Sequence, residues 1–374
     1  MSDESTLIHD ARLVDAGKTW EGAWLLVERG RIRDRGQGRD LPPADRRHDA
    51  RGASIVPGFV DIHCHGGGGH SAEGAADDVR AMARFHRGHG TTALVVSLAT
   101  APLPRLRERI ERITEVVGTE GVLGIHLEGP FLSTAHRGAH SAALLLPPTP
   151  RVIAELLGAA HGSIRQITLA PENASDEVLD LLLEEGVRVA VGHTDADFAQ
   201  ASHAFSRGAS ILTHAFNGMP GIHHRAPGPV VAACDSADVV LELIADGVHV
   251  HPAVIALLFR LAPGRIALVT DAIAAAGAPD GDYPLGDDVA RVCAGVARVG
   301  DSLAGSTLTM DRAVRVCVAA GVPVAEAIRA ATRTPADAIG ARDRGGLRPG
   351  DVADLVELDD RLEVRRVWID GVPQ

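Results

Sequence analysis

Eight apolar runs rich in Val, Ile, Leu and Thr occur along the middle of the chain, and each is short enough to be one buried β-strand. They cover residues 55–63, 91–98, 122–128, 164–170, 187–193, 210–216, 239–245 and 266–271. Most are followed by segments with apolar residues three or four positions apart, including 76–89, 104–117, 150–160 and 175–185. That spacing is typical of helices that bury one face. The alternation predicts an α/β fold whose core is a (β/α)8 TIM barrel.

The two ends of the chain have a different pattern. Residues 6–33 and 352–372 alternate apolar and polar positions and are interrupted by Gly and Asp, which predicts short strands. All three tryptophans, Trp20, Trp24 and Trp368, lie in these ends. We therefore expect residues 1–55 and 342–374 to form one small β-sandwich domain beside a barrel of residues 56–341. A single tail strapped to the barrel would also fit the pattern.

The composition limits the classes of function. With 374 residues, of which 45% are hydrophobic, the chain can bury a large core. Its formal net charge of -12 argues against nucleic-acid binding, which relies on basic patches. No stretch approaches the roughly 18 apolar residues of a membrane span, and the start MSDESTLIHD lacks the order of a secretory signal. We expect a cytoplasmic protein without a membrane partner.

Cysteine and lysine narrow the chemistry further. Cys64, Cys234, Cys293 and Cys317 are widely spaced, so they are expected to be small buried residues rather than a disulfide framework or a thiolate zinc site. Lys18 is the only lysine and lies outside every motif described below. A Schiff-base lysine, or a carbamylated lysine that bridges two metal ions, is therefore excluded from the central site.

Side chains of the kinds that bind metal ions stand at the ends of the apolar runs. The first run ends in His63, and His65 follows two positions later. Because alternate residues of a strand share a face, both imidazoles are expected to point into one cavity. Other runs end in a glutamate, two further histidines and an aspartate, namely Glu128, His193, His214 and Asp271. The C-terminal strand ends carry the catalytic groups in (β/α)8 barrels, so these side chains are expected to converge.

Each of these residues has an ordinary structural alternative. Glu128 could cap a helix, His193 and His214 could be hydrogen-bonded core residues, and Asp271 could hold a turn. Together, however, imidazole and carboxylate groups at one barrel mouth suit zinc, iron or another first-row divalent ion with an open position for water. We therefore interpret the set as a metal site.

Several motifs add a resemblance to a known family. They are PGFVDIHCHG (57–66), GIHLEGPFL (124–132), GAH (138–140), ADGVHVHP (245–252), TDAIAAAGAPDGDYPLG (270–286) and LAGSTLTM (303–310). Through them nearly the whole chain resembles the amidohydrolase superfamily and, within it, the family of N-acetylglucosamine-6-phosphate deacetylases. The resemblance implies a metal-dependent hydrolase that converts N-acetylglucosamine 6-phosphate into glucosamine 6-phosphate and acetate.

The resemblance also implies roles for the strand-end residues. Glu128, His193 and His214 would hold the main metal ion. His63 and His65 favour a second ion, with Glu128 bridging the two, so one or two divalent ions per chain are expected, zinc or iron. Asp271 would be the general base and then the general acid, acting with a metal-bound hydroxide as nucleophile.

The substrate contacts are implied in the same way. His140 would orient or polarise the acetamide carbonyl, and the sugar phosphate would be held by Asn217, Gly218, Arg225, His249 and Leu303. The resemblance further implies a homodimer in which Arg225 reaches the neighbouring subunit's site. From the residues alone, Arg225 is equally a solvated surface arginine. His249 and His251 are two positions apart, and only one of them need face the site.

Other activities stay open. Deacetylases of N-acetylgalactosamine 6-phosphate act on a sugar that differs by one hydroxyl, and D-aminoacylases, dihydroorotases and adenine deaminases are more distant alternatives in the superfamily. A catalytically inactive barrel that serves as a scaffold is a further alternative. It requires the loss of ligands or of the strand-eight aspartate, and all of these residues are present here.

Overall fold

Before the barrel starts, the chain forms five strands of a separate sheet. The computed structural model describes residues 4–286 and 288–374. The five strands are β1 (Thr6–Asp15), β2 (Lys18–Glu28), β3 (Arg31–Gln37), β4 (Arg46–Asp49) and β5 (Ser54–Pro57). β1 pairs with β2 in antiparallel orientation and with β4 and β5 in parallel orientation. This segment therefore forms the larger part of a sheet outside the barrel.

The barrel begins at β6 (Phe59–Cys64), which leads into a small hairpin of β7 (Gly66–Gly67) and β8 (His70–Ser71). Seven more strands complete the barrel: β9 (Thr91–Ala99), β10 (Val122–Glu128), β11 (Ile164–Leu169), β12 (Arg188–Val191), β13 (Ile211–Leu212), β14 (Val240–Ile244) and β15 (Ile266–Val269). Each barrel strand pairs in parallel with the next one along the chain. All C-terminal strand ends therefore meet at one mouth.

Helices connect the strands and enclose the barrel. They are α1 (Ala76–Gly88), α2 (Leu103–Thr114), α3 (Pro150–Ala160), α4 (Asp176–Glu184), α5 (Phe198–Ser206), α6 (Gly228–Asp235), α7 (Pro252–Leu261), α8 (Met310–Ala319), α9 (Val324–Ala331) and α10 (Arg333–Ala338). Their buried faces and the outer faces of the strands share one large apolar core. None of the helices in the described ranges combines the length and the apolar character needed to cross a membrane.

Hydrogen bonds join the first and the last barrel strands at the mouth. The backbone amide of Asp271, just after β15, donates to the carbonyl of His63 at 2.8 Å. The buried carboxylate of Asp61 accepts a hydrogen bond from the hydroxyl of Thr270 at 2.5 Å. These contacts place the ends of β6 and β15 side by side, so the predicted metal ligands of strand one lie next to the predicted catalytic aspartate.

A small antiparallel sheet follows the last barrel strand. It consists of β16 (Gly281–Leu285), β17 (Asp288–Cys293), β18 (Val296–Val299) and β19 (Ser302–Leu303). Ala290, Val292 and Ala297 pack with Ile273 in a separate apolar cluster. Because Leu285 and Leu303 line the cavity at the barrel mouth, this sheet forms one wall of that cavity.

The last strands return to the sheet in which the chain began. They are β20 (Leu355–Leu358), β21 (Val364–Ile369) and β22 (Val372–Pro373). The sheet has the order β22-β21-β20-β5-β1-β2-β3, with β4 beside β1. Its apolar core includes Leu25, Ile55, Leu355 and Trp368. The expected terminal β-domain built by both ends of the chain is thus present, while its limits at residues 55 and 342 stay a prediction.

The prediction of a single strand over residues 55–63 is wrong. β5 ends at Pro57 in the terminal sheet, and β6 begins at Phe59 in the barrel. Gly58 joins them where a Cβ atom would lie 2.0 Å from Oγ1 of Thr92. Every residue of both strands is buried, so the apolar pattern is continuous and carries no sign of the change of sheet.

The expectation of buried cysteines is correct for two of the four. Cys64 and Cys317 are buried, whereas Cys234 is half-buried and Cys293 is exposed. Cys293 is the last residue of β17 and borders the turn into β18, where a side chain meets solvent. All four are free thiols.

Candidate metal centre and active site

Glu128, the last residue of β10, lies at the centre of the barrel mouth. Its Oε1 is 3.2 Å from Nε2 of His193 and 3.0 Å from Nε2 of His214. Its Oε2 is 3.2 Å from Nε2 of His65, and Nε2 of His63 lies 3.5 Å from Oε1. The carboxylate is therefore placed between two pairs of imidazoles, one at the end of β6 and one just beyond the ends of β12 and β13.

Within each pair, the two imidazoles present the same nitrogen to each other. Nε2 of His63 is 3.2 Å from Nε2 of His65, and Nε2 of His193 is 3.1 Å from Nε2 of His214. Ligand atoms of a tetrahedral zinc ion at about 2.0–2.1 Å lie roughly 3.3 Å apart. The buried nitrogens and the carboxylate thus have the chemistry and the spacing that fit a divalent metal ion.

Asp271 adds a second carboxylate beside the first pair. Its Oδ1 is 3.5 Å from Nε2 of His65 and 3.6 Å from Nε2 of His63. The backbone of Asp271 is held from both sides, since its carbonyl accepts from the amide of Ser306 at 2.7 Å and its amide donates to β6. The acid is therefore rigidly placed at the edge of the candidate metal centre.

Three of these strand-end residues have a left-handed backbone. The φ angles are 44° at His193, 27° at His214 and 47° at Asp271, a conformation that costs energy in residues other than glycine. It turns the chain out of the strand direction, so β12 ends at Val191 and β13 at Leu212. The strands predicted over 187–193 and 210–216 are therefore too long. The strain occurs at the positions where side chains must enter the mouth.

The electrostatics favour an ionised carboxylate at the centre. Burial alone would raise the pKa of Glu128, but the charge of His63 and hydrogen bonds from three further histidines hold the pKa well below its usual range.

His126, two residues before Glu128, supports the site from behind by packing its ring against the ring of His63. Its ring lies between the hydroxyls of Ser97 and Thr168, at 2.9 and 2.8 Å, and burial lowers its pKa well below the ordinary histidine value.

A cavity of about 290 Å³ opens directly onto these groups. Predicted substrate residues line it, namely His140, Asn217, Gly218, His249 and Leu303. Nδ1 of His140 is 2.9 Å from Oγ1 of Thr100, and Nε2 of His140 is 3.5 Å from Oε2 of Glu128. The cavity therefore adjoins both the candidate metal centre and a further imidazole.

His249 and His251 take different positions. His249 lines the cavity, and its Nδ1 is 2.7 Å from Oδ2 of Asp246. Although burial disfavours the charged ring, the hydrogen bond and the charge of Asp246 raise the pKa of His249. His251 instead caps helix α7 by accepting a hydrogen bond from the amide of Ala253 at 3.2 Å.

Arg225 is not brought together with the other predicted residues in this single chain. It is exposed, lies in a turn closed by the pairing of His223 with Ala226, and is absent from the cavity lining. Its role across a dimer stays a prediction.

Sequence reasoning missed Glu242. This fully buried residue lies 3.0 Å from Nδ1 of His63 through its Oε2 atom. Its signal was present in the sequence, because a glutamate inside the apolar run 239–245 is rarely buried without a partner. The partner itself, 179 positions away, had no local signal.

With this geometry established, comparisons with known proteins identify the class. The model of the amidohydrolase family matches residues 54–373, and the chain belongs to this family. The N-acetylgalactosamine-6-phosphate deacetylase of Escherichia coli O157:H7 is 38% identical over 361 residues, covering 94% of this chain and 96% of the relative. The N-acetylglucosamine-6-phosphate deacetylase of Danio rerio is 38% identical over 350 residues, covering 88% and 86%.

A solved structure agrees with these relatives. It is a mutant N-acetyl-D-glucosamine-6-phosphate deacetylase from Mycobacterium smegmatis in complex with N-acetyl-D-glucosamine-6-phosphate, with a TM-score of 0.94, 40% identity and 99% of both chains covered. The predicted TIM barrel fold and the predicted class of enzyme, a hydrolase of the amidohydrolase family, are confirmed.

Proposed function

We propose that this protein hydrolyses the acetamide of N-acetylglucosamine 6-phosphate and releases acetate and glucosamine 6-phosphate. The observation that carries the proposal is the position of Asp271, beside a carboxylate shared by two imidazole pairs and at the wall of a cavity. The N-acetylglucosamine-6-phosphate deacetylase of Danio rerio and the solved structure in complex with that sugar support the choice of substrate.

We infer two divalent metal ions, zinc or iron. Glu128, His193 and His214 would hold one, and His63 and His65 would hold the other with Glu128 between them. The centre contains four buried carboxyl groups, that of the ligand Glu128 and those of Asp61, Glu242 and Asp271. No lysine or arginine of the described ranges lines the cavity. Two divalent charges would offset this buried negative charge. When bound, a divalent ion polarises an amide carbonyl and lowers the pKa of water.

Asp271 and His140 supply the proton chemistry. Asp271 accepts the proton of the attacking water and passes it to the leaving nitrogen, because an amine leaves poorly without a proton. The amide of Thr100 faces Nδ1 of His140 at 3.4 Å, which makes Nδ1 an acceptor and keeps the proton on Nε2. Burial lowers the pKa of His140, so the neutral ring donates from Nε2 to the carbonyl oxygen as negative charge develops.

The remaining lining residues bind the sugar. Nδ1 of His249 is engaged by Asp246, so its Nε2 is the atom available to a hydroxyl or phosphate oxygen. Asn217 and Gly218 also line the cavity, and the side chain of Asn217 and the backbone of Gly218 would provide further polar contacts. We propose that Arg225 of a second subunit completes the phosphate pocket in a homodimer.

N-acetylgalactosamine 6-phosphate is the second candidate substrate. The relative from Escherichia coli O157:H7 bears that name and matches 94% of this chain. The two sugars differ at one hydroxyl, and the same metal centre and acid would serve both. The other amidohydrolase activities lack a comparable observation, and an inactive scaffold is disfavoured because the ligands and Asp271 converge.

Acetate release tests the proposal. Zinc-loaded protein is incubated with N-acetylglucosamine 6-phosphate, its galacto epimer and unphosphorylated N-acetylglucosamine, and acetate is measured with a coupled assay. We expect a much higher kcat/KM for one phosphorylated sugar than for the unphosphorylated one. Release from the galacto sugar alone would select the second candidate, and no release from any of the three would reject the deacetylase function.

A further inference from the structure

Glu242 is a charged residue inside the barrel, where an unpaired carboxylate would be costly. It lies in the middle of β14, between the buried residues Leu241 and Leu243. Strand alternation places it on the same face as Ile244, which lines the cavity. Its side chain therefore points into the barrel beneath the mouth, and its three hydrogen-bond partners come from other strands.

Three donors surround this carboxylate. Oε1 accepts from Nε2 of Gln166 at 2.7 Å. Oε2 accepts from the backbone amide of His214 at 3.3 Å and faces Nδ1 of His63 at 3.0 Å. The three contacts are satisfied together when both oxygens of Glu242 act as acceptors. The proton shared with His63 therefore resides on Nδ1, which leaves the lone pair on Nε2, the nitrogen that faces His65.

We propose that Glu242 is a positioning residue for the second metal ion, acting through His63. The carboxylate fixes the ring tautomer and orientation and increases the basicity of Nε2, an effect that typically changes metal affinity by about 10- to 100-fold. This inference rests on the proposed two-metal function. It adds a residue that touches neither substrate nor metal and that nevertheless decides how firmly one ion is held.

Among the residues that the structure describes, none of the other candidate histidine ligands has a carboxylate at Nδ1, so we expect the effect mainly at one ion. Nδ1 of His193 faces the backbone carbonyl of His136, a neutral acceptor, at 2.9 Å. Nδ1 of His65 and Nδ1 of His214 have no hydrogen-bond partner among the residues that the structure describes. Glu242 also accepts from the backbone amide of His214 at 3.3 Å, but it contacts neither ring nitrogen of that residue. Loss of its charge should therefore weaken the site of His63 much more than the site of His193 and His214.

Zinc binding by the full-length protein tests this inference. Wild type and Glu242→Gln are equilibrated with buffered free zinc, and zinc per chain is measured by mass spectrometry, with circular dichroism as the check of folding. We expect two ions in the wild type and a 10- to 100-fold weaker second site in Glu242→Gln. Glu242→Asp, which keeps the charge but withdraws it from Nδ1, should also weaken that site and replaces the first variant if Glu242→Gln does not fold.

Thr332→Val is the matched control. Thr332 is fully buried between α9 and α10, and its hydroxyl donates to the carbonyl of Ile328 at 2.7 Å rather than to any group of the candidate metal centre. We expect this variant to bind two zinc ions with wild-type affinities. Equal weakening by the control would mean that any loss of a buried polar group loosens the site, and the inference would be wrong.

A mutant cycle separates action through His63 from a general effect. In a His63→Gln background, the further change Glu242→Gln should leave the remaining zinc affinity unchanged, because its target is already gone. Additive losses, or two wild-type affinities in Glu242→Gln alone, overturn the inference. A wild type that binds fewer than two ions overturns the two-metal proposal as well, whereas two ions without deacetylation reject only the proposed substrate.

Discussion

At the scale of single residues, Asp271 is the group that would distinguish this candidate centre from a purely structural metal site. A structural site needs ligands alone, whereas a hydrolytic one also needs a group that takes and returns a proton. Asp271 is 7% exposed and lines the cavity, so its carboxylate can reach both a water molecule and a bound amide.

Replacement of this carboxylate should separate binding from turnover. We expect Asp271→Asn to keep its zinc content and its KM while kcat falls by about 10²- to 10⁴-fold, because the asparagine side chain cannot accept a proton from water. The matched control is Asp282→Asn. Asp282 lies in β16, is half-exposed and pairs with Arg291 of β17, so this variant should keep the wild-type kcat. Turnover of Asp271→Asn at the parental rate would reject the acid-base role.

His86 is a buried histidine that lies outside the metal centre. Its Nε2 is 2.9 Å from the carbonyl oxygen of Gly66, and burial lowers its pKa from 6.5 to about 4. At a pH between about 4 and 6.5, His86 is protonated in the unfolded chain and neutral in the folded chain. The contribution of His86 to the free energy of unfolding is therefore complete above pH 6.5 and declines as the pH falls toward 4.

His86→Gln should reduce the loss of stability in acid. Glutamine keeps an N–H donor for the carbonyl of Gly66 but does not titrate. We expect the decrease in the free energy of unfolding between pH 7 and pH 4.5 to be smaller than in the wild type, by up to about 3 kcal/mol. Urea denaturation at both pH values measures this. A change of the exposed His161 to Asn should leave the pH dependence as it was, and an unchanged slope in His86→Gln would contradict the prediction.

At the scale of secondary-structure elements, the passage from β5 to β6 joins the two domains. One residue, Gly58, separates a strand of the terminal sheet from the first strand of the barrel. Its amide donates to the carbonyl of Asp354 at 2.8 Å, and Thr92 occupies the space where a side chain would be. The close approach of β6 to β9 therefore depends on the missing Cβ.

Gly58→Ala should destabilise the protein by about 1–3 kcal/mol, the usual cost of overpacking a buried position. Gly158 provides the matched control, because it lies in α3 and a Cβ there would meet nothing within 4 Å. Gly158→Ala should stabilise by up to about 1 kcal/mol through helix propensity. Thermal and urea unfolding compare the two variants, and equal stability of both would remove the role assigned to Gly58.

At the scale of the whole molecule, the phosphate group of the proposed substrate would need a positively charged partner. The cavity lining contains no arginine or lysine among the described residues, and Arg225 is exposed on a loop outside it. In a dimer with twofold symmetry, a contact made by one subunit is repeated by the other. The Arg225 loop of each subunit would then reach the cavity of its partner. This is the physical reason for expecting a dimer with shared sites.

Hybrid dimers test this expectation. Arg225→Ala and Asp271→Asn should each be nearly inactive as homodimers. When the two variants are dissociated, mixed and allowed to reassociate, about half of the dimers should be hybrids. Each hybrid has one intact site of two, so about a quarter of the wild-type activity should return. Absence of recovery, together with a monomer in analytical ultracentrifugation, would show that Arg225 does not act across subunits.

The sequence by itself determined the barrel and the residue types of the site. Apolar strands that alternate with amphipathic helices are compatible with few folds other than a barrel. In a barrel, residues at the C-terminal strand ends such as His65, Glu128 and Asp271 meet at one mouth. The candidate ligands could be predicted because each stands at the end of an apolar run, and such runs are recognised from local sequence alone. The same local rule overextended the strands at His193 and His214, where the backbone leaves the strand.

Only the tertiary structure decided which groups touch. The pairing of Glu242 with His63 joins residues 179 positions apart, and the choice of His249 over His251 depends on a bond to Asp246 and on the start of α7. The change of sheet at Gly58 depends on Thr92 across the core. Such contacts arise from packing between distant segments, whereas periodicity reports only which face of a segment is buried.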